Sequence, residues 1–437
     1  MKKLVTMLLA AAVLLAVISC KKKEETAETA EVKKAEVITL RIMSPESDFT
    51  DAWIQEWNTA NPEIQLVREE NDYPKWIADF LAGSPADILN VGYGAEIPYF
   101  VKRGMFLDLS DYFAKSTLFK ESDIDIGGSG AYKVEGKWYG LPKDYNNVGA
   151  ITYNKDIFKK AGIPFPSATE PMSYQEFFNL AKKLTSKQGG NVIFGTEVHG
   201  AWTNFLASDM AYMLGKNLHS ADGLTMNEDK DVREIWKYFL RLRKQGISSN
   251  IENPLSGWAG SAFQADGVAM VQLGYWYGAS CAGVEGYLDK YGWAPEPVMV
   301  KGGTRVTNNL GATGFCISAK TKYPDEVFKV FEWYMAGSPG IERAKTGWGI
   351  PPLKSLQPML PEANAFDKAR KDLALEEVKY MKAPQMSLHV RGAVYESNWK
   401  ESERAYLAGE VNEDGAVDKF YKAMNEAITL GKEEVGE

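Results

Sequence analysis

The sequence predicts an α/β protein made of two bodies joined by a hinge. Three observations carry this expectation. Strand-like and helix-like segments alternate from Ile38 onward, the pattern of packed α/β layers. The ~400 residues of that region are too many for one simple core. Polar, tryptophan-flanked passages at 138–148 and 293–297 interrupt the alternation between strands, as crossings between two bodies would.

The elements follow in order. Lys2 and Lys3 precede an uncharged run over 4–18 that ends Val17-Ile18-Ser19-Cys20. The run is too short for a spanning helix of roughly 20 residues and fits a secretory signal. Small residues before the cysteine resemble a lipobox, so Cys20 is the expected lipidated first residue of an exported chain. Residues 21–36 (KKKEETAETAEVKKAE) have almost no apolar content and read as a flexible tether. Ile38, Leu40 and Ile42 alternate as a strand. Ser47 or Asp48 then caps a helix carrying Phe49, Ala52, Trp53 and Trp57, which Asn61-Pro62 stops. Ile64, Leu66 and the run 87–91 (DILNV) are further strands.

Residues 136–163 read GKWYGLPKDYNNVGAITYNKDIFKKAGI. Pro142 lacks a donor and breaks ladder pairing. A strand at 148–153 follows, then a helix with Asn154 at its cap and Gly162 at its left-handed exit. Ser173 and Glu176 form a capping box before Phe177, Leu180, Ala181 and Leu184. Helices are expected at 202–214 and 232–243, and a buried strand at 268–273. Residues 293–297 make a return crossing, and 311–318 make a strand. A helix then starts near Pro324, and residues 337–340 form a third crossing. These boundaries give one lobe from 37–146 plus 301–336, and a second from 147–300 plus 337–437. Cys281 and Cys316 fall in different lobes and are expected as buried free thiols, since a bridge would lock the hinge. Trp53, Trp57, Trp236 and Trp333 have helical spacing and read as core.

The chain holds 58 acidic and 50 basic residues and no basic run in its folded part, which argues against nucleic acid. Its three histidines, His199, His219 and His389, form no metal signature with each other or with cysteine. Gly127-Gly128-Ser129-Gly130-Ala131 fails the nucleophile-elbow pattern at its last position, and no phosphate loop is present. No cofactor or metal is expected. Paired carboxylates for glycoside hydrolysis stay open, because sequence spacing does not fix their separation. The twelve tryptophans suit a sugar site, where flat rings stack on the C–H face of the ring.

Residues 136–163 resemble the signature of the extracellular solute-binding proteins of ABC importers, the maltose-binding-like group, in which G-K-x-Y-G-L-P leads into Y-N-K-D-x-F-K-K-A-G. Residues 293–297 and the A-M-x-x-x-G-x-W ending at Trp276 are similar to passages of that family. Met172-Ser173-Tyr174 departs from its usual Thr-Trp. The resemblance implies a two-lobed periplasmic-binding-protein fold of the type II kind, with a ligand cleft between lobes joined by a multi-crossing hinge. It implies the substrate-binding subunit of an importer, not an enzyme, delivering a mono- or oligosaccharide to a membrane permease. It further implies a monomer held at the membrane by its lipid. Ligand groups are then expected from Glu46, Tyr93, Glu96, Asp144, Tyr145, Tyr275, Trp276 and Trp348, with Trp202, Trp258 and Asn308 beside them. A polyamine, a metal complex or a phosphorylated polyol is the alternative solute; an anionic one would need a basic cleft, for which Arg305 and Arg391 are the available residues. A secreted glycoside hydrolase and a structural lipoprotein are the remaining alternatives.

Overall fold

The structure is a computed structural model that describes residues 37–188, 191–198, 200–250, 253–308, 312–384 and 386–436. Cys20, the expected signal and tether, and His199 lie outside the described residues. The architecture is α/β, with two main sheets, each inside its own helical body, and short two-stranded ribbons beside them. Among the described residues no helix is long and apolar enough to cross a membrane.

The first sheet has the order β2-β1-β3-β9-β4. Its strands are β1 (Ile38–Met43), β2 (Ile64–Glu69), β3 (Ile88–Val91), β4 (Gly140–Pro142) and β9 (Gly314–Ile317). β1 runs parallel to β2 and β3, whereas β9 is antiparallel to both β3 and β4. Four chain ends therefore meet at one edge of the sheet: the exits of β1, β3 and β4 and the entry of β9. Pro142 is tolerated because β4 is the outer strand. Leu40, Ile42, Leu89 and Phe315 bury into a core that helix Pro324–Ala336 covers with Val327, Phe331 and Tyr334. Trp53 and Trp57 are buried here, with Trp333 packed partly buried against them.

The second sheet has the order β6-β5-β7, formed by β5 (Ile151–Asn154), β6 (Met270–Gln272) and β7 (Tyr291–Ala294). Helix Lys230–Lys244 plants Trp236 against Trp399 of helix Gly392–Leu407 and Phe420 of helix Glu413–Glu433. The local signals fold as they read. Asn154 accepts from the Asp156 and Ile157 N–H groups, Gly162 is left-handed, and Ser173 with Glu176 closes a capping box.

Four expectations need correction. The return crossing is not at 293–297, because Ala294 lies in β7 and Val298 and Val306 still join the second core, whereas Ala312 joins the first. The helix Asp51–Ala60 is capped by Thr50, so Asp48 is left free to point elsewhere. The third crossing is not at 337–340, because Ala344, Ile350, Leu353, Leu356 and Leu360 all join the first core. The lobe boundary expected at 337 therefore falls too early. The chain leaves the first core only after Met381, which still packs against it with Leu375 and Val378, whereas Met386 packs against the second; helix Ala365–Glu377, before that, places Ala374 in the first core and Phe366 with Leu373 in the core beneath β6 and β7. A short parallel ribbon, β8 (Thr307–Asn308) with β10 (Met381–Lys382), joins the two later crossings. Cys281 and Cys316 are buried and unpaired in different cores. Burial pushes the Cys281 thiol up to about 12.

Candidate functional site

The sheet edge where four chain ends meet faces the second body, the position at which open α/β sheets bind ligands. β1 leads into Ser47 and Asp48, and β3 leads into Gly92 and Tyr93. β4 leads into Lys143 and Asp144, and Thr313 precedes β9. The second body answers with Asn146, Val148, Trp202 and Trp276. Trp348, from the segment after helix Ser338–Thr346, completes the wall. These residues enclose a cavity of about 230 Å³. A second cavity of about 450 Å³ shares Asp48, Gly92, Tyr93 and Thr313 with it and continues toward Glu96, Phe205, Arg391 and Glu396.

The floor is a buried charge cluster. The Lys143 ammonium lies 2.6 Å from Asp144 and 3.5 Å from Asp48. Asn90 donates to Asp48 at 3.0 Å, and Asn146 to Asp144 at 3.4 Å. Burial pulls the Lys143 ammonium down, but Asp144 and Asp48 outweigh it and hold it above its ordinary value. Burial pushes Asp144 up against the pull of Lys143. With one ammonium against two carboxylates the cluster keeps a net negative charge, and it presents acceptors and a donor to whatever fills the cavity. Arg391 is occupied by Glu96 and Arg305 by Glu377, so neither expected cation faces the cavity as a free anion anchor.

The walls are aromatic, and local structure sets each ring. Gly274 takes a left-handed turn at φ +81°, and the Asn146 and Asn147 side chains accept from the Trp276 and Tyr275 N–H groups at 2.8 and 3.2 Å. Trp276 is thereby aimed into the cavity. Trp348 follows Gly347, the left-handed cap of its helix, and meets Trp276 with ring centroids 5.9 Å apart. At Gly349 a Cβ would fall 2.4 Å from the Asp144 side chain, so only glycine lets this segment lie against the charge cluster. Tyr93 packs on Phe205 at 5.6 Å and bonds with the Trp202 side chain across the cleft.

Of the residues expected from sequence, Tyr93, Asp144, Trp202, Trp276 and Trp348 line the first cavity. Glu96 lines the second, but its carboxylate is spent on Arg391 and the Gly392 N–H. Trp258 lies outside both cavities and stacks on Trp276. Four expectations are corrected. Glu46 is exposed on the loop beside Asp48 and lines neither cavity. Tyr145 turns into the first core, where its hydroxyl bonds Asp125 at 2.7 Å. Tyr275 is buried beneath the Arg370 guanidinium, 4.4 Å from its ring centroid. Asn308 is buried in the ribbon and bonds Asp209. Sequence reasoning missed Asp48, Lys143, Asn146 and Thr313. The polar run after Pro142 was the available signal for Lys143 and Asn146; Asp48 was read as a helix cap. Among the described residues no cluster of His, Cys, Asp and Glu could hold a metal ion.

Comparisons with known proteins agree with this geometry. A binding protein of Brucella abortus (strain 2308) is 28% identical over 174 residues, 40% of this chain and 40% of that protein. The chain spans less than half the length of the curated relatives it matches. An ABC substrate-binding protein from Listeria monocytogenes, solved in complex with cycloalternan, superposes with a TM-score of 0.75 at 20% identity, covering 91% of this chain and 99% of that one. The sugar-binding protein MalE from Xanthomonas citri superposes with a TM-score of 0.70 at 17% identity, covering 90% and 98%. Both show the two-lobed fold. Residues 52–370 match the family model of the bacterial extracellular solute-binding proteins, and the chain belongs to that family.

Proposed function

We propose that this chain is the substrate-binding subunit of an ABC importer and that its cleft takes a carbohydrate without chemical change. The observation that carries this reading is the cavity itself: indoles of Trp202, Trp276 and Trp348 around the ion-paired Asp48–Lys143–Asp144 cluster. Flat rings suit the apolar face of a sugar, and a rigid set of acceptors and donors suits its hydroxyl rim. Lys143 between the two carboxylates keeps them as acceptors. The two structural neighbours named above support the reading, one by its bound cycloalternan and the other by its description as sugar-binding. Ligand contacts from both bodies would favour their approach, and the approached form would present a joint surface to the permease. Export and anchoring through Cys20 and action as a monomer belong to the same proposal.

Thermal unfolding of the protein against a ligand panel tests it. The panel holds mannose, maltotriose, mannobiose, mannitol, spermidine and sn-glycerol 3-phosphate. A carbohydrate at about 100 times its dissociation constant stabilises by ~2.7 kcal/mol. Trp276→Ala and Trp348→Ala each reduce that shift. A shift with spermidine or glycerol phosphate alone would overturn the carbohydrate assignment, and release of a reducing sugar from a bound oligosaccharide would overturn the non-catalytic one.

A further inference from the structure

Trp258 and Trp348 are the exposed tryptophans of the described residues, each 39% accessible, and both touch Trp276. The Trp258 ring lies nearly parallel to that of Trp276, with planes 17° and centroids 5.9 Å apart. It is held in place: Tyr277 meets it edge-on, and it folds over Gly260, where a Cβ would fall 2.1 Å from the ring. Trp258 nevertheless stands outside the enclosed cavity. A strip of three indoles thus starts inside the cleft at Trp348, passes Trp276 and ends in solvent at Trp258.

A ring that served only to back Trp276 would gain by being buried. This one is fixed on its inner side and leaves large apolar area open to water, which is what a stacking platform at small entropy cost requires. The enclosed cavity of about 230 Å³ is also smaller than the roughly 300–1,000 Å³ of pockets that bury a whole drug-sized ligand. A ligand longer than one ring must leave it, either into the adjoining cavity toward Arg391 or past Trp276 onto Trp258.

We propose that Trp258 is an outer subsite and that the solute is a neutral oligosaccharide. One terminal unit sits between Trp276, Trp348 and the charge cluster, and the next unit lies on Trp258. This rests on the carbohydrate reading above and adds chain length and direction to it.

Isothermal titration with mannose, mannobiose and mannotriose, and with glucose, maltose and maltotriose, tests the assignment in the wild-type protein, Trp276→Ala, Trp258→Ala and Trp258→Phe. Trp276→Ala weakens every saccharide that binds. Trp258→Ala costs about three- to tenfold more for the di- and trisaccharides than for the monosaccharide of the same series. Trp258→Phe restores part of that difference. An equal loss at every chain length would make Trp258 a buttress of Trp276 and overturn the outer subsite while leaving the carbohydrate reading intact. No loss at any length would also overturn it, and would send the chain toward Arg391. Binding of no saccharide by the wild-type protein would sink both readings together.

Discussion

Asp209 and Glu296 illustrate how single buried carboxyls tie stability to pH. Both are buried in the second body. Asp209 accepts from the Asn308 backbone and side chain and so holds the β8–β10 ribbon; Glu296, two residues past β7, accepts from Tyr174 at 3.1 Å. Burial raises both carboxyls; the neighbouring Asp209 raises Glu296 further, while a hydrogen bond with Glu296 pulls Asp209 partly back down. Glu377 nearby is pushed up to about 7 by burial, against Arg305. The folded values exceed the unfolded ones, so the native state holds extra protons. The stability this gives is complete below the unfolded carboxylate range and is lost as pH rises through the folded values. Asp209→Asn keeps the shape and an acceptor but removes the charge. Its urea-unfolding free energy should fall less steeply than the wild type's between about pH 5 and about pH 9, by up to ~1.4 kcal/mol per pH unit for one proton. Parallel slopes for the two proteins would mean that this pair does not titrate in that window.

At the scale of elements, the turn that presents Trp276 depends on side chains from the opposite strand entry. Asn146 and Asn147 cap the N–H groups of Trp276 and Tyr275. Asn146→Ala leaves one of these donors without its acceptor, costing about 1–2 kcal/mol of stability. Because Trp276 is also released, ligand affinity should drop more than stability does; denaturation and titration on one sample compare the two. Elements of this kind were legible in the sequence where their signal is local. The Asn154 cap, the Gly162 exit and the Ser173–Glu176 box are decided within one turn of chain. Direction was not legible. Asp144 and Tyr145 are adjacent, as are Tyr275 and Trp276, and neighbours in extended chain point to opposite sides. Only Asp144 and Trp276 of these pairs reach the cleft, while Tyr145 and Tyr275 fill the first core. Asp48 was hidden because it stands two residues before the true cap, Thr50, in a loop where either residue fits the role.

Across the whole molecule, the two bodies also hold each other through side-chain contacts outside the crossings. The Glu96 carboxylate of the first body accepts from Arg391 at 3.3 Å and from the Gly392 N–H at 2.8 Å, at the positive end of helix Gly392–Leu407. Arg103 donates to the Gly431 carbonyl and to Glu434, both at 3.2 Å. Glu96→Gln keeps the outline and removes the charge. The unliganded variant should show a larger radius of gyration by solution scattering, and solute affinity should fall about tenfold as the closed population shrinks. An unchanged radius with unchanged affinity would show that Glu96 does not hold the bodies together. Helix Ala365–Glu377 bears on how such a movement proceeds. Its Ala374 is rooted in one core and its Phe366 and Leu373 in another, with Arg370 wedged under Tyr275 between them. It cannot travel with one body and desert the other. Like an axle fixed at both hubs, it would limit any swing of the cleft to the rotation that keeps both sets of contacts engaged.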